Sequence, residues 1–381
     1  MAGRAGEFHV SAMRGSPLHR LAALGQSIWL DDIRRVWLED GTLERLIAKD
    51  AVSGVTSNPA IFEKAIAEHH DYDRAIVELA HQGRSVQDIY ETLTVEDIQH
   101  AADLLRRVHE ATVGRDGYVS LEVSPHLAHD TEATVAEAQR LWARVARPNL
   151  MIKVPGTTAG LLAIRQLIAL GINVNVTLLF GVTRYRAVAE AFQAGLEDRS
   201  HAGGPLVGVA SVASFFLSRI DTLVDSQLDA LGNPEAKQLR GAAAIACARL
   251  AYQYYKEWTA SPRWQALVAA GARPQRLLWA STSTKDKTYS EVKYIEALIA
   301  PDTVNTLPPE TLAAYRDHGD PAMRIEEDLD EAQALPARLA ALGLDLDGVA
   351  EQLEREGVRK FIEPYDRLFA VLVRRAAELV P

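Results

Sequence analysis

Short apolar runs alternate with longer amphipathic segments along most of the chain. The runs have the length and composition of strands that are buried on both faces of a parallel sheet. The segments between them place apolar residues at helical spacing, as Val36, Leu43 and Ile47 do between residues 33 and 49. Eight runs are predicted to be strands, at 26–31, 53–57, 118–123, 150–154, 172–177, 206–211, 277–281 and 302–306.

This alternation of strands and helices predicts the fold class. Strands separated by helices favour a parallel sheet, and eight such units fit a closed barrel better than an open sheet. An open doubly wound sheet would more often carry a Gly-x-Gly-x-x-Gly motif after its first strand, and the chain has none there. We therefore predict an α/β fold, a (β/α)8 TIM barrel, with extra helices at the N-terminus, after strand 2 and at the C-terminus.

The segments outside the strands are predicted to be mostly helical. Several helices are expected between residues 61 and 113, with polar breaks near 81–83 and 92–94. Further helices are expected at 214–228, at 236–259 and, with a break near 342–347, from 311 to the end. No composition shift marks a linker, so residues 16–381 are predicted to form one catalytic domain after a polar N-terminal tail, residues 1–15.

Composition and charge narrow the class of protein. Of the 381 residues, 48% are hydrophobic, and no run is long enough to span a bilayer or to form a secretory signal. The net charge of -10 opposes general binding to nucleic acid or to a membrane surface. The single cysteine, Cys247, excludes an intramolecular disulfide and fits a reducing compartment. We therefore expect a soluble cytoplasmic protein.

One apolar run, from Leu150 to Gly156, contains a lysine in its middle. Burying a charged lysine is costly unless an opposite charge pairs with it or the amine loses its proton. Desolvation lowers the pKa of a lysine, and a neutral amine can attack a carbonyl to form a Schiff base. Considered alone, Lys153 is more readily explained by an edge strand, or by a side chain that reaches water.

Polar residues at the ends of other predicted strands change that balance. The carboxyl ends of barrel strands carry the active site, and the residues predicted there are Asp31, Asn58, Glu122, Lys153, Asn175, Thr177, Ser211 and Ser281. Asp31 and Ser281 could instead cap helices, and Asn58 before Pro59 is a typical turn residue. Asn175 and Thr177 could simply line the barrel. The convergence of the whole set nevertheless favours a catalytic Lys153.

These side chains supply the groups needed to cleave a carbon–carbon bond through a Schiff base. A lysine condenses with a ketone, and the resulting imine draws electrons from the neighbouring bond. Asp31 could take a proton from a hydroxyl, while Glu122 and the Thr177 hydroxyl could shuttle protons during dehydration. Asn58 and Asn175 could bind sugar hydroxyls. Hydroxyls, backbone N–H groups and a cation near strands six and seven could hold a phosphate.

Several stretches closely resemble transaldolase, from about residue 16 to the end of the chain. They are Gly54–Phe62, Ser120–Pro125, Asn149–Pro155, Gly171–Phe180 and Ser211–Asp221, with Trp29–Asp31 and Trp279–Ser281 also fitting. The likeness is greatest to the longer bacterial transaldolases, of the class I Schiff-base aldolase superfamily. It implies that Lys153 is the Schiff-base lysine, that Asp31 and Glu122 are the acid/base residues, and that Thr177 holds a water.

The resemblance also implies how a substrate is held. Asn58, Asn175 and Ser214 match substrate-contacting positions, and Arg219 and Ser281 match phosphate-binding positions. We add Ser211, Phe216 and Lys285 to the predicted substrate-binding residues. Shorter members of the family carry an arginine two residues after the position of Ser281, where this chain has Ser283. Lys285 is expected to supply that charge, as a point charge rather than as a planar fork.

The implied activity is that of a transferase of the non-oxidative pentose phosphate pathway. It would move a dihydroxyacetone unit from sedoheptulose 7-phosphate to glyceraldehyde 3-phosphate, giving erythrose 4-phosphate and fructose 6-phosphate. Two alternatives stay open, a Schiff-base aldolase that releases dihydroxyacetone and an inactive barrel that binds sugar phosphates. We expect no cofactor, and no metal because the sequence has neither an HExxH motif nor a clustered Cys/His set; His126 and His129 are more typical of a surface or capping pair than of a ligand site. The expected partners are small sugar phosphates, with a monomer and a homodimer both open.

Overall fold

The computed structural model describes residues 15–379, which contain a closed barrel of eight parallel strands. The strands are β1 (Gln26–Leu30), β2 (Val52–Val55), β3 (Tyr118–Glu122), β4 (Leu150–Pro155), β5 (Val174–Leu179), β6 (Ser211–Phe216), β7 (Arg276–Ala280) and β8 (Thr303–Leu307). Each strand pairs with its neighbours in chain order, and β1 closes the barrel on β8. The predicted (β/α)8 barrel is confirmed. Apart from Gly15, the predicted polar tail lies outside the described residues.

Helices connect the strands and extend the barrel where extra helices were predicted. The N-terminal helix is Pro17–Ala23, and the helices that follow β2 are Pro59–Ala67, Asp73–His81 and Val86–Ala111. The remaining helices are Arg35–Glu39, Thr42–Lys49, Thr131–Val145, Thr158–Ala169, Val182–His201, Ser218–Leu231, Pro234–Leu239, Ala243–Ala260, Pro262–Ala269, Lys293–Ala297, Pro309–His318, Leu329–Ala341 and Leu346–Leu379. Within residues 15–379, no helix is long and apolar enough to cross a membrane.

The strand that carries Lys153 is central and completely buried. All six residues of β4 are buried, and β4 pairs with β3 on one side and β5 on the other. The register places Glu122 and Asn175 directly beside Lys153 on those two neighbours. An edge strand therefore does not explain the lysine, and its side chain points into a shared interior with its neighbours.

The sixth strand differs from its prediction. The sequence predicted a strand at 206–211, but β6 begins at Ser211 and ends at Phe216. The apolar stretch before it lies in a loop, where Val207 is 70% exposed. The following helix accordingly begins at Ser218 rather than at Ser214. The strand was missed because Ser211, Ala213 and Ser214 interrupt its apolar pattern, whereas polar residues are absent from the loop segment 206–210.

This shift moves Ser211 to the wrong end of the barrel for substrate binding. Its hydroxyl donates a hydrogen bond to the Val174 carbonyl oxygen (2.7 Å) and accepts one from Gln275 Nε2 (2.8 Å). Ser211 begins its strand, so it lies at the amino ends of the strands, opposite the carboxyl ends that carry the active site. The prediction that Ser211 binds substrate is therefore wrong.

Two helix boundaries also differ. The polar break predicted near 92–94 is absent from the Val86–Ala111 helix, where the Thr94 hydroxyl bonds the Tyr90 carbonyl oxygen (3.0 Å). A threonine can satisfy its hydroxyl inside a helix in this way. The single helix predicted at 236–259 is two helices, separated by Gly241 in a left-handed conformation (φ 70°).

The C-terminal helix, Leu346–Leu379, returns to the barrel mouth. Arg367 and Arg375 form ion pairs with Glu63 (2.7 Å) and Asp73 (2.8 Å), on the helices that follow β2. At Gly357, an added Cβ would lie 3.0 Å from the Leu178 side chain, so the helix packs closely against the end of β5. The helix therefore lies across the ends of the strands, where the active site was predicted.

Candidate active site

A cavity of about 610 Å³ opens at the carboxyl ends of the strands. Eight of the predicted site residues line it, namely Asp31, Asn58, Lys153, Ser214, Phe216, Arg219, Ser281 and Lys285. They come from β4, β6 and the segments that follow β1, β2, β6 and β7. Most of the predicted site is thus brought together by the closed barrel.

Lys153 lies at the floor of this cavity and is 4% exposed. Its Nζ donates a hydrogen bond to the Ser57 carbonyl oxygen (3.0 Å) and lies 3.3 Å from Glu122 Oε2. The ring of Phe361, from the C-terminal helix, lies over Nζ with its centroid 5.4 Å away. The amine is therefore held in one place, mostly shielded from water, and faces the space where a ketone would bind.

Glu122 is the counter-ion of Lys153 and a perturbed acid. Burial raises the pKa of its carboxyl from 4.5 to about 7, although the nearby Lys153 opposes the shift. Its two oxygens accept no hydrogen bond from the described residues. A carboxyl that titrates near neutral pH can both give and take a proton, as general acid/base catalysis requires.

Asp31 is held by a short chain of hydroxyl groups. The Thr56 hydroxyl donates to Asp31 Oδ1 (2.7 Å) and lies 2.7 Å from the Thr306 hydroxyl. Desolvation raises the pKa of Asp31, while the charge of Lys153 and the bond from Thr56 oppose that rise. A carboxylate has about four acceptor sites, so Asp31 can accept a hydrogen bond from a substrate hydroxyl in addition to the one from Thr56.

Arg219 lines the same cavity, and its guanidinium forms no ion pair with a carboxylate of residues 15–379. Its guanidinium lies 5.4 Å from the Phe216 ring centroid and 5.9 Å from that of Phe361. Among the described residues its buried Nη1 has no hydrogen-bond partner, and burial lowers the pKa of the side chain. An arginine held between aromatic rings without a carboxylate is well suited to bind a phosphate.

The loop after β7 adds hydroxyl groups to the same wall. Ser281 adopts a left-handed backbone conformation (φ 53°), and its hydroxyl lies 2.8 Å from that of Ser218. Non-glycine residues adopt this conformation rarely, and such strain concentrates at functional sites. Further along, Lys285 Nζ donates to the Ser283 hydroxyl (2.8 Å), and both residues line the cavity.

Three predicted residues lie inside the barrel rather than at the cavity wall. Asn175 is fully buried, donating to the Ser120 hydroxyl (2.9 Å) and accepting from the Ser214 hydroxyl (2.6 Å). Glu122 does not line the cavity itself, but it contacts Lys153, which does. Thr177 is also buried, and its hydroxyl has no partner among residues 15–379. Its strand is irregular there, because Leu178 is left-handed (φ 62°) and the pairing with β6 shifts.

Asn58 combines a structural role with its place at the site. Its Oδ1 accepts a hydrogen bond from Ile61 N (3.0 Å), so it caps the Pro59–Ala67 helix. The sequence suggested a turn residue, whereas Asn58 is the extended N-cap of a helix and lines the cavity as well. The contacts of Asn58 and Asn175 with a substrate stay predictions.

The cavity also contains residues that the sequence analysis did not assign to it. They are Asp32, Arg34, Trp37, Thr56, Lys64, Thr306, Glu310, Lys360 and Phe361, among others. Asp32 had a local signal, since it follows Asp31 directly; desolvation and the Asp31 charge raise its pKa to about 6. Phe361 had none, because it lies on one face of a long amphipathic helix. In residues 15–379, no cluster of three or more His, Cys, Asp or Glu side chains is placed to hold a metal ion.

Comparison with known proteins agrees with this geometry. The family described as Transaldolase/Fructose-6-phosphate aldolase matches residues 28–372. The chain is 50% identical over 361 residues to a transaldolase of Frankia alni, covering 94% of this chain and 97% of that protein. It is 52% identical over 361 residues to a transaldolase of Acidothermus cellulolyticus (94% and 96% covered). A transaldolase of Thermobifida fusca is 50% identical over 364 residues (95% and 99% covered). The chain therefore belongs to the transaldolase/fructose-6-phosphate aldolase family.

Proposed function

We propose that this protein is a transaldolase that transfers a dihydroxyacetone unit between sugar phosphates. The observation that carries the proposal is the position of Lys153. Its amine is buried at the floor of the cavity, 3.3 Å from Glu122, and Asp31 lines the same cavity. The donor is sedoheptulose 7-phosphate and the acceptor glyceraldehyde 3-phosphate, so the products are erythrose 4-phosphate and fructose 6-phosphate.

The residues divide the reaction between them. Lys153 Nζ adds to the C2 carbonyl of the donor, and Glu122 moves the protons that allow water to leave and the imine to form. Asp31 then takes the proton of the C4 hydroxyl as the C3–C4 bond breaks. The bonding electrons pass to the imine, which becomes an enamine, and the aldose phosphate departs. The same steps in reverse join the enamine to the acceptor aldehyde, and hydrolysis of the imine releases the new ketose.

The phosphate groups are proposed to bind at Arg219 and the loop after β7. Both the departing and the arriving aldose carry a phosphate at the end remote from the reacting carbon. Arg219 is supported as the anchor because its Nη1 has no hydrogen-bond partner among residues 15–379. The Ser281 hydroxyl contacts Ser218, the first residue of the helix that carries Arg219. Lys285 is exposed and adds charge at the rim.

Transfer is favoured over release by the apolar surface beside the lysine. Phe216 and Phe361 both line the cavity and are largely buried, and neither has a hydroxyl that could orient water. The enamine must avoid protonation until the acceptor arrives, and an apolar neighbourhood protects it. An aldolase that releases dihydroxyacetone would need an ordered water or hydroxyl at this position.

Borohydride trapping tests the proposal. The protein is incubated with fructose 6-phosphate and borohydride, and the modified residue is located by mass spectrometry. We expect an adduct on Lys153, no adduct on the Lys153→Ala variant and an undiminished adduct on Lys64→Ala, which removes another lysine of the same cavity. No adduct on Lys153 would contradict any Schiff-base activity. An adduct with release of dihydroxyacetone but no acceptor-dependent transfer would make the protein an aldolase.

We also propose a cytoplasmic location. It is supported by the single, buried cysteine, which needs no oxidising compartment. The proposed partners are small sugar phosphates, and the net charge of -10 disfavours nucleic acid and anionic membranes.

A further inference from the structure

A second cavity, of about 270 Å³, lies at the other end of the barrel. Its walls include Tyr118, Met151, Val212 and Arg276, each at or next to the first residue of its strand, together with Arg115 and Arg273 from neighbouring loops. Since strand beginnings meet at the amino-terminal mouth of the barrel, this cavity is separate from the one that contains Lys153.

The arginine inside this cavity is fixed before any ligand binds. Arg276 is 7% exposed and donates to the Ser27 hydroxyl (2.7 Å) and to the Arg115 carbonyl oxygen (2.7 Å). Its Nη2 also lies 3.6 Å from Asp116 Oδ1. A guanidinium held by three neighbours loses little further freedom when it meets an anion.

The other two arginines differ in how they are compensated. Arg115 forms an ion pair with Asp302 (2.9 Å) at the edge of the cavity. Arg273 has no carboxylate within ion-pair distance in the described part of the chain. Burial, together with the positive charges of Arg106 and Arg273, lowers the pKa of the adjacent His109. The three arginines thus lie near two carboxylates, those of Asp116 and Asp302. One positive charge is left in excess at this cavity, although the whole chain has a net charge of -10.

The floor of the cavity is apolar. Met151 is 1% exposed and Val212 is fully buried, and both face the interior of the barrel. A cavity with an apolar floor and a few converging cations suits a small organic anion better than a macromolecule. Guanidinium groups bind the oxygens of both phosphates and carboxylates.

We propose that the amino-terminal mouth of the barrel is a second ligand site, which binds a small anion bearing phosphate or carboxylate groups. Arg276 and Arg273 contact the anionic oxygens, and the carbon skeleton rests on Met151 and Val212. The site lies beneath the Ser120–Asn175–Ser214 hydrogen bonds of the barrel interior, outside the cavity proposed to hold the sugar phosphates.

Methionine methyl resonances offer a direct test. The full chain has four methionines, at positions 1, 13, 151 and 323, and the Met151→Leu variant assigns the signal of interest. Protein labelled at the methionine methyls is titrated separately with inorganic pyrophosphate and with citrate. We expect a saturable shift of the Met151 signal with at least one of them, and the responding anion distinguishes a phosphate ligand from a carboxylate ligand.

Three variants make the result specific. Arg273→Ala should weaken the affinity at least about tenfold, because one charge-assisted contact is lost. Arg355→Ala is the matched control, since that arginine is 69% exposed on the C-terminal helix, and it should leave the titration unchanged. Arg219→Ala removes the anion site of the catalytic cavity and should keep the Met151 response.

The opposite results would overturn the proposal. It fails if Met151 responds to neither anion, or if Arg273→Ala responds with unchanged affinity. Loss of the response in Arg219→Ala would also overturn it, because the signal would then report binding in the catalytic cavity.

Discussion

The buried pair of Lys153 and Glu122 predicts how stability depends on pH once the lysine is removed. Lys153→Met keeps most of the side-chain volume and removes the positive charge that lowers the Glu122 pKa. Burial raises that pKa from 4.5 to about 7 even with the lysine present, so in the variant it must lie higher. Between the unfolded and folded pKa values, the folded protein keeps a proton that the unfolded chain has released.

The sign and size of the effect follow from this difference. The unfolded state binds fewer protons in this range, so the free energy of unfolding falls as the pH rises. The stabilising contribution is complete below the unfolded pKa and is lost as the pH rises through the folded pKa. One pH unit corresponds to about 1.4 kcal/mol, so the loss between pH 5 and pH 7 is about 2 to 3 kcal/mol.

Urea unfolding at pH 5, 6 and 7 measures this loss when two variants are compared. Lys153→Met contains the buried acid, whereas Lys153→Met/Glu122→Gln replaces it with a neutral side chain of the same size. The difference between their unfolding free energies isolates Glu122 from the other groups that titrate in this range. As the pH rises from 5 to 7, we expect the unfolding free energy of the double variant to increase by about 2 to 3 kcal/mol relative to that of the single variant. A difference that does not change with pH would refute the reasoning, because the carboxyl would then be hydrated in the folded protein.

Three further predictions concern the reaction. Asp31→Asn should lower kcat by about 10²- to 10⁴-fold but should still form the Schiff base. Borohydride should therefore trap the uncleaved ketose on Lys153. An unchanged kcat would exclude Asp31 as the base. Arg219→Lys should raise KM for fructose 6-phosphate about tenfold, because a point charge replaces a planar guanidinium, and it should have little effect on KM for unphosphorylated fructose. Steady-state kinetics with both ketoses measures the difference, and equal effects on the two KM values would place the phosphate elsewhere. Phe216→Tyr should increase the release of dihydroxyacetone relative to transfer, since it adds a hydroxyl near the enamine; Phe216→Leu is the control, and an equal increase in both would indicate loosened packing instead.

The barrel and the position of Lys153 in its cavity could be predicted because both leave strong local signals. Buried parallel strands are almost continuously apolar, so a charged residue such as Lys153 or Glu122 stands out inside one. Once eight strands are counted, the carboxyl-end rule brings Asp31 and Lys153 to one place without knowledge of any contact. The same rule failed for Ser211, because the strand itself was located several residues too early.

Other parts of the site could not be predicted, because they depend on contacts between distant parts of the chain. The aromatic contacts of Arg219 include Phe361, whose position within a long helix resembles that of any buried helical residue. The Thr56–Thr306 contact joins the residue that follows β2 to β8, and it exists only because the barrel closes. The Asn-Pro pair suggested only a turn at Asn58, where one side chain caps a helix and also lines the cavity.

The position of the C-terminal helix has a consequence for the order in which a newly made molecule becomes active. Lys153 and Phe361 are more than two hundred positions apart, so the ribosome releases every strand of the barrel before it releases the helix that covers the lysine. Until then the cavity lacks the wall formed by Lys360 and Phe361, and water reaches the amine freely. We therefore expect protected transfer to begin only after this helix has been synthesised and has docked over Lys153.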